Sequence, residues 1–263
     1  MPWGFVPGGD VSGLVERFGP ETESDLALGD RVFGLSSSFG FGNPVGSYAE
    51  YTVIPANQLA RIPEGLSFAD AAALPLVGLT ALQALDAAAL KPGQRLFISA
   101  GSGGLGMHAI QLAKARGLHV TTSCSGKNAD RVRQFRDAPF DAVIDCLGGK
   151  AEIEAFKVVK ITGTLVSVWN WGYVWDYGLL GWAMEMYTAT KAKAWHWLGW
   201  GPQFRVVLVG PNGPQMEQLA RTVEAGKLEP IVSKNMPLEE AELAHEQIET
   251  HRTTGKIVLE IKQ

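Results

Sequence analysis

The glycines between residues 101 and 106 have the clearest chemical meaning in this sequence. Their spacing, Gly101-x-Gly103-x-x-Gly106, is typical of a loop that binds the pyrophosphate of a dinucleotide. The first glycine permits a tight turn, the second lets the backbone approach the pyrophosphate, and the third lets the next helix pack closely on the preceding strand. An ordinary glycine-rich loop is the alternative. The residues expected to line this cofactor site are Gly101, Ser102, Gly103, Gly104, Leu105 and Gly106.

The residues on either side of this loop favour the first interpretation. Leu96 to Ser99 is a short apolar run typical of a buried strand, and Leu105, Ala109 and Leu112 then recur with the period of a helix. A helix that begins at such a loop points free N–H groups and the positive end of its dipole at an anion. Strand, loop and helix together therefore predict a dinucleotide site.

The run TTSCSGK, from Thr121 to Lys127, indicates which dinucleotide binds. An NAD site usually places an acidic residue about 20 positions after the glycines, where it binds the ribose hydroxyls. This run contains no acidic residue. The hydroxyls of Ser123 and Ser125 and the ammonium group of Lys127 suit a 2′-phosphate instead. The predicted cofactor is therefore NADPH.

A second cofactor contact is predicted at Cys146, Leu147 and Gly148, which follow an apolar strand. Ligands of open α/β sheets bind outside the carboxyl ends of the strands. We interpret Cys146 as a small packed residue beside the ribose rather than a nucleophile, because free cysteines are usually buried and inert. The other cysteine is Cys124, so a disulfide scaffold is not expected and a reducing compartment is.

Composition excludes several classes of protein. The chain has 263 residues, of which 46% are hydrophobic, and a net charge of -4, which supports a real core and argues against a nucleic-acid partner. The run from Met1 to Asp10 lacks the basic start and apolar centre of a signal peptide, so we expect an intracellular protein, either cytoplasmic or organellar. No histidine pairs with a cysteine at zinc-ligand spacing, so no metal site is expected.

We call the glycine-rich loop from Gly101 to Gly106 the fingerprint. The part of the chain before it is expected to be rich in β-structure. Ser67 is the predicted N-cap of a helix with Asp70 at its third position, and a second helix is predicted from Leu79 to Leu90. Short strands are predicted at Val11 to Val15, Arg31 to Leu35 and Gly46 to Val53.

Strands alternate with helices after residue 95, which predicts an α/β fold with a Rossmann-type, doubly wound parallel sheet. The predicted strands are Leu118 to Ser123, Phe140 to Cys146, Gly163 to Val168, Phe204 to Val209 and Gly255 to Ile261. The predicted helices are Asn128 to Phe135, Ala151 to Val159, Pro214 to Ala225 and Leu238 to Thr250.

The segment from Trp169 to Trp200 is rich in tryptophan. Because it also carries Asn170, Asp176 and several glycines, a membrane span is not expected. Three interpretations stay open: core and interface packing, an aromatic lid over the active site, and a contact with a membrane surface. Its tryptophans are Trp169, Trp171, Trp175, Trp182, Trp195, Trp197 and Trp200.

Several motifs, in this order, resemble the zinc-independent quinone oxidoreductase branch of the medium-chain dehydrogenase/reductase superfamily. They are PGGDVSGLVERFG with LALGDRVFG, GSYAEYTV, LPLVGLTALQAL, SAGSGGLGMHAIQLAKARG, FDAVIDCLGG, VEAGKLEPIVSKNMPLEEAELAHEQIE and TTGKIVLEI. The run YTATKAKAWHWLGW is similar to the mitochondrial reticulon-interacting members.

This resemblance implies a GroES-like, β-rich substrate domain from residues 1–75 and 227–263, with a dinucleotide-binding domain at 76–226 and the active cleft where they meet. It implies NADPH-dependent reduction of a small-molecule quinone or activated enone without zinc. It also implies that Thr80 lies near the nicotinamide. Family members are often homodimers; an organellar protein partner is the other expectation.

The implied reaction requires a nicotinamide held against an electrophilic carbon and a group that protonates the product. Tyr48 is the best available proton donor or orienting group in the substrate domain. Its alternative role is that of a strand aromatic filling the core.

Two departures from the family pattern motivate a second function. Family members carry several dozen residues before a motif like PGGDVSG, and they place a helix, a strand and another helix where this chain has only the link from Ser123 to Phe140. A missing strand would weaken the adenosine side of the site. The alternative is thus a catalytically weak, nucleotide-binding relative with a structural or regulatory role. A zinc alcohol dehydrogenase is disfavoured by the missing ligand clusters.

Overall fold

The computed structural model describes residues 6–36, 45–123, 139–168, 183, 186–250 and 253–261. The chain divides into two compact units, Met1–Leu79 with Val209–Gln263, and Thr80–Leu208. The first unit therefore draws on both ends of the chain, in the arrangement of a GroES-like domain interrupted by a dinucleotide-binding domain. The second part of the first unit begins at Val209, whereas the boundary predicted from the sequence lies after residue 226.

An antiparallel sheet organises the first unit. Its described strands are β1 (Asp10–Leu14), β2 (Arg31–Leu35) and β3 (Leu59–Arg61), in the order β1-β2-β3. Strand β2 is central, and its Phe33 and Leu35 are fully buried. The short strand β3 was not anticipated from the sequence, because three residues are too few to show a period.

Two further strands and two helices complete the described second part of this unit. Helix α6 (Gly213–Glu224) begins at an Asn212 N-cap and packs on β3, and Gly213 lies so close to the Asn57 carbonyl that a Cβ would overlap it. Strands β9 (Val232–Pro237) and β10 (Lys256–Glu260) pair in parallel and are joined by helix α7 (Ala241–Glu249). Strand β9 was also not anticipated.

Helices α1 (Phe68–Ala72) and α2 (Pro75–Ala88) follow β3 along the chain. The Ser67 hydroxyl accepts a hydrogen bond from the Asp70 N–H at 3.0 Å, which confirms the predicted N-cap. Helix α2 begins at Pro75 rather than at the predicted Leu79. Proline is tolerated in the first turn of a helix, where its missing N–H has no partner to lose.

A five-stranded parallel sheet forms from the described strands of the second unit, in the order β5-β4-β6-β7-β8. The chain turns from β4 to β5 on one side and to β6 on the other, so the switch point of the sheet lies between β4 and β6. Fully buried Leu96, Ile98, Ile144 and Leu165 form its centre. The strands are β4 (Arg95–Ile98), β5 (His119–Thr122), β6 (Phe140–Asp145), β7 (Val159–Val168) and β8 (Gln203–Val207).

Besides the part of α2 from Thr80 onward, the described helices of this unit are α3 (Gly104–Ala115) after β4, α4 (Lys150–Ala155) after β6, and α5 (residues 186–197) before β8. These elements confirm the predicted Rossmann-type alternation. No helix in the described part of the chain is long and apolar enough to span a bilayer.

The predicted strand from Gly46 to Val53 is wrong. This segment is irregular, although the N–H groups of Ser47 and Tyr48 donate to the carbonyls of Gly8 and Pro7. Other predictions fall outside the described residues: the helix from Asn128 to Phe135 with most of the link from Ser123 to Phe140, and the first four tryptophans of the Trp169–Trp200 segment.

An ion-paired aspartate ties three neighbouring strands together at their amino ends. Asp141 on β6 accepts from the Arg95 N–H of β4 at 2.8 Å and from the Lys160 ammonium of β7 at 2.5 Å. Burial alone would raise the pKa of Asp141, but these donors outweigh burial and lower it below its ordinary value. The carboxylate therefore stabilises the fold only while it is ionised.

We predict that Asp141→Asn lowers the free energy of unfolding by about 1–2 kcal/mol at pH 7. Because the pKa of Asp141 is lowered on folding, its contribution is present above about pH 4 and is lost as the pH falls through the folded-state value. Urea unfolding at pH 7 and pH 3 should show a deficit that shrinks at acid pH. Asp86→Asn is the control, because its ion pair with Arg116 is exposed and worth little. An undiminished deficit at pH 3 would contradict this assignment.

Candidate active site

The fingerprint loop lies at the carboxyl end of β4, beside the switch point of the sheet. Ala100 has a positive φ of 54°, an uncommon conformation for a residue with a Cβ, and it turns the chain out of the strand. The Gly101 N–H donates to the Ser123 carbonyl at 2.7 Å, and the Gly103 N–H donates to the Ala100 carbonyl at 3.0 Å. The loop is thus fixed by its own backbone and by the residue that follows β5.

The three fingerprint glycines have different surroundings. A Cβ on Gly101 would overlap the Thr122 side chain, and one on Gly106 would overlap the Ala100 carbonyl. A Cβ on Gly103 would approach only the Ala100 carbonyl, at an ordinary 3.4 Å. Gly101 and Gly106 are therefore needed by the fold, whereas the described structure leaves room for a Cβ at Gly103.

Helix α3 begins directly at this space without a side-chain cap. Gly103 is its N-cap residue and offers no side chain to accept from the first turn, whose N–H groups lack acceptors within the helix. The buried His108 donates from Nδ1 to the Gly104 carbonyl at 2.6 Å and so holds this turn. An uncapped N-terminus next to open space is the arrangement that holds a pyrophosphate.

A buried hydroxyl–carboxylate pair joins β4 to β6 at the same edge. The Ser99 hydroxyl donates to Oδ1 of Asp145 at 2.7 Å and accepts from the Cys146 N–H at 2.7 Å. Asp145 also accepts from the N–H groups of Leu147 and Gly148, at 3.2 and 2.8 Å. Ser99 and Asp145 thereby set the backbone of the Cys146–Gly148 loop. Neither was anticipated; the signal available was an aspartate ending the apolar strand FDAVID.

The side chains of the Cys146–Gly148 loop differ in exposure. Leu147 is exposed, whereas Cys146 is half-buried. Burial, and then the neighbouring Asp145 carboxylate, raise the pKa of the Cys146 thiol well above its ordinary range. The thiol therefore stays protonated at neutral pH, which does not suit a nucleophile or a metal ligand.

A second buried carboxylate, that of Glu152, contacts the next strand of the sheet, β7. Ser167 on β7 pairs in register with Asp145, and its hydroxyl donates to Oε2 of the buried Glu152 on α4 at 2.6 Å. This contact was not predicted from the sequence, because the contact depends on the register of the sheet.

Of the residues predicted to bind the 2′-phosphate, only Ser123 lies within the described part of the chain. Ser123 is buried at the end of β5, and its carbonyl accepts from the fingerprint loop. Ser125 and Lys127 lie outside the described residues. Thr80 is buried within α2, at the start of the second unit. Its position near a nicotinamide stays a prediction from the resemblance.

Tyr48 belongs to a charged cluster inside the first unit. Lys256 of β10 donates to Asp10 of β1 at 2.9 Å, and Asp10 also accepts from the Leu76 N–H at 2.6 Å. The Tyr48 ring lies 6.0 Å from the His245 ring. Burial raises the pKa of Tyr48, the charge on Lys256 opposes this, and Asp10 adds to it. Tyr48 therefore carries its proton at neutral pH.

Lys256 stays charged within this cluster. Burial alone would lower its pKa, but the Asp10 carboxylate more than offsets burial and raises it. The sequence named Tyr48 but not its charged neighbours, because Asp10 and Lys256 are 246 residues apart in the chain.

Among the described residues, no three histidine, cysteine, aspartate or glutamate side chains gather closely enough to hold a metal ion.

Fold and site define a class of protein before any comparison is made. A parallel sheet with a glycine-rich loop at its switch point, together with a β-rich unit built from both chain ends, is the architecture of a dinucleotide-dependent oxidoreductase. Comparison with known families agrees. The family of zinc-binding dehydrogenases matches residues 117–259, and the alcohol dehydrogenase GroES-like domain matches residues 1–64.

Individual relatives narrow this class. The chain is 34% identical to the trans-enoyl reductase pgmF of Aspergillus terreus, covering 98% of this chain and 78% of that protein. It is 28% identical to the mitochondrial NAD(P)H oxidoreductase RTN4IP1 of Bos taurus, covering 97% and 70%. The solved quinone oxidoreductase of Coxiella burnetii superposes with a TM-score of 0.78 at 33% identity, covering 98% and 80%.

The chain belongs to the medium-chain dehydrogenase/reductase superfamily and is quinone oxidoreductase-like. It is an oxidoreductase of the enoyl reductase type, in a family whose members use nicotinamide cofactors.

Two alanine substitutions should separate binding from folding. Gly103→Ala adds a methyl group that the protein tolerates but a pyrophosphate does not, so we expect a near-unchanged melting temperature and roughly tenfold or greater loss of dinucleotide affinity. Gly106→Ala forces its methyl group into the Ala100 carbonyl and should cost about 1–3 kcal/mol of stability. Calorimetric titration and thermal melts measure both. Equal affinity of Gly103→Ala and the unchanged protein would refute the assignment.

Proposed function

We propose that this protein transfers a hydride from NADPH to a quinone or activated enone, without zinc. The observation that carries the proposal is the open space at Gly103 against the uncapped N-terminus of α3, in a chain of the quinone oxidoreductase-like family. Two relatives support the substrate class, one named as an enoyl reductase and the other as a quinone oxidoreductase. An enoyl group and a quinone ring both contain a carbon–carbon double bond activated by a carbonyl group.

The chain's own residues contribute binding and orientation at the cofactor. The first-turn N–H groups of α3 would hold the pyrophosphate, and the loop from Cys146 to Gly148, fixed by Asp145, would line the ribose. When bound, NADPH supplies the hydride. The protein contributes the position of the nicotinamide and the exclusion of water.

Tyr48 is proposed as the proton donor. Reduction of an enone or quinone leaves an oxyanion or carbanion that must be protonated. Burial raises the pKa of Tyr48, so the phenol is in its protonated form at neutral pH, although it is a weaker acid than a free tyrosine. The positive charge of Lys256 acts on the same phenol and would stabilise the phenolate left behind. Asp10 holds that ammonium group in place through the 2.9 Å ion pair.

The test of this function is turnover of NADPH with 9,10-phenanthrenequinone and with a linear enone. Turnover that persists in the presence of a metal chelator supports the proposal. Binding of NADPH without turnover of either acceptor would favour the catalytically weak alternative. Loss of turnover with the chelator, regained on adding zinc, would contradict the zinc-independent mechanism.

Removing the Tyr48 hydroxyl should slow the chemical step. We predict that Tyr48→Phe lowers kcat by about 10²–10⁴-fold, the usual contribution of a positioned general acid, while the affinity for NADPH stays unchanged. Tyr51→Phe is the matched control, because Tyr51 is three residues away and exposed. If the two variants have equal kcat, Tyr48 is a packing residue.

The preference for NADPH should depend on Lys127. A charge-assisted hydrogen bond to the 2′-phosphate is worth roughly 1.5–3 kcal/mol, so we predict an affinity for NADPH about 10- to 100-fold higher than for NADH. Lys127→Ala should remove most of this preference and leave NADH binding almost unchanged, with Ser125→Ala causing a smaller loss. Lys114→Ala, at an exposed position on α3, is the control. Equal dissociation constants for the two cofactors in the unchanged protein would disprove the prediction.

A further inference from the structure

Helix α5 turns its large side chains away from the protein. Its Ala189 and Ala192 pack on the hydrophobic core that contains Phe97 and Phe204. By contrast, Trp197 is 85% exposed. A helix on a protein surface normally buries its largest apolar residues and exposes its small or polar ones. The reversed pattern here indicates that the outward face contacts something beyond this chain.

The exposed residues form one structured surface, which we call the aromatic patch. The Trp200 N–H donates to the Trp195 carbonyl at 2.9 Å and the Leu198 N–H to the Ala194 carbonyl at 3.1 Å, while Gly199 has a φ of +73° that closes the helix end. These contacts fix the backbone of the turn that follows the helix. The patch comprises Tyr187, Trp195, Trp197, Leu198 and Trp200.

Two lysines flank the aromatic patch on its own helix. Between Tyr187 and Gln203 the sequence has two lysines and no aspartate or glutamate, although the whole chain has a net charge of -4. At 3.6 residues per turn, Lys191 and Lys193 lie on either side of the face that carries Tyr187 and Trp197. The Lys191 ammonium lies 5.0 Å from the centre of the Trp195 ring, so cation and aromatic share one level.

This charge pattern discriminates between two occupants. In a symmetric contact with a second copy, the segment from Tyr187 to Gln203 meets itself and supplies lysines but no carboxylate of its own to pair with them. An anionic lipid surface satisfies both features, because aromatic rings settle at the level of the headgroups and lysines meet the phosphates. The acidic remainder of the chain is screened beyond about 8 Å at physiological salt.

We propose that the aromatic patch docks this protein on the surface of an anionic lipid bilayer. The rings of Trp197 and Trp200 enter the headgroup layer, and Lys191 and Lys193 bind lipid phosphates. The contact is peripheral and salt-sensitive, and it does not depend on the oxidoreductase activity proposed above.

Flotation with lipid vesicles tests this proposal. The full chain should bind vesicles of phosphatidylcholine with phosphatidylglycerol, bind pure phosphatidylcholine roughly tenfold or more weakly, and dissociate at high salt. Lys191→Glu with Lys193→Glu should abolish binding. Trp197→Ala with Trp200→Ala should weaken binding by roughly tenfold or more without changing the melting temperature, because these side chains are exposed. Lys227→Glu with Lys234→Glu, at exposed positions in the other unit, is the matched control and should bind normally.

Three results would overturn the proposal. The first is absence of binding to anionic vesicles. The second is binding that survives the lysine and tryptophan substitutions, since another surface would then be responsible. The third is a lipid-free dimer, seen by sedimentation velocity, that the tryptophan substitutions dissociate; the patch would then be covered by a second copy.

Discussion

The cofactor side of this structure depends on one buried carboxylate, Asp145, and on the hydroxyl that meets it. A carboxylate inside a protein is costly unless each oxygen has donors, and here the Ser99 hydroxyl and the N–H groups of Leu147 and Gly148 supply them. Because Ser99 directly follows β4 and Asp145 ends β6, their bond spans the switch point where a dinucleotide would lie. The same contact that makes the buried carboxylate tolerable also orders the loop from Cys146 to Gly148.

The three glycines of the fingerprint loop have different surroundings, which their spacing in the sequence does not reveal. Gly101 and Gly106 have no room for a side chain because the protein itself fills the space, whereas the space at Gly103 is open. The fold alone therefore explains two of the three glycines in the pattern G-x-G-x-x-G, and Gly103 is the one for which we propose a binding role. The first unit has a comparable coupling, since the Asp10–Lys256 pair joins β1 to β10 and also places a positive charge in the electrostatic surroundings of Tyr48.

Local signals in the sequence predicted most of the regular structure. The apolar run before the fingerprint, the Ser67 cap and the alternation after residue 95 each depend on neighbours a few positions away, and these predictions are confirmed. The strand predicted from Gly46 to Val53 is wrong because β-prone residues form a strand only beside a partner strand, and none of the described strands pairs with this segment. The bonds of Ser99 with Asp145 and of Asp10 with Lys256 bridge 46 and 246 residues, so only the fold brings them together.

Two buried acidic side chains of the second unit would oppose the binding of an anionic cofactor. Asp145 and Glu152 place two carboxylates at the edge of the sheet where phosphates would bind, and like charges repel. The repulsion is limited because hydroxyl and N–H dipoles from Ser99, Ser167 and Gly148 already point at these oxygens. The uncapped end of α3 adds a positive dipole on the side of Gly103. The acids at this edge are therefore partnered within the protein, which is compatible with the pyrophosphate site that we propose at the start of α3.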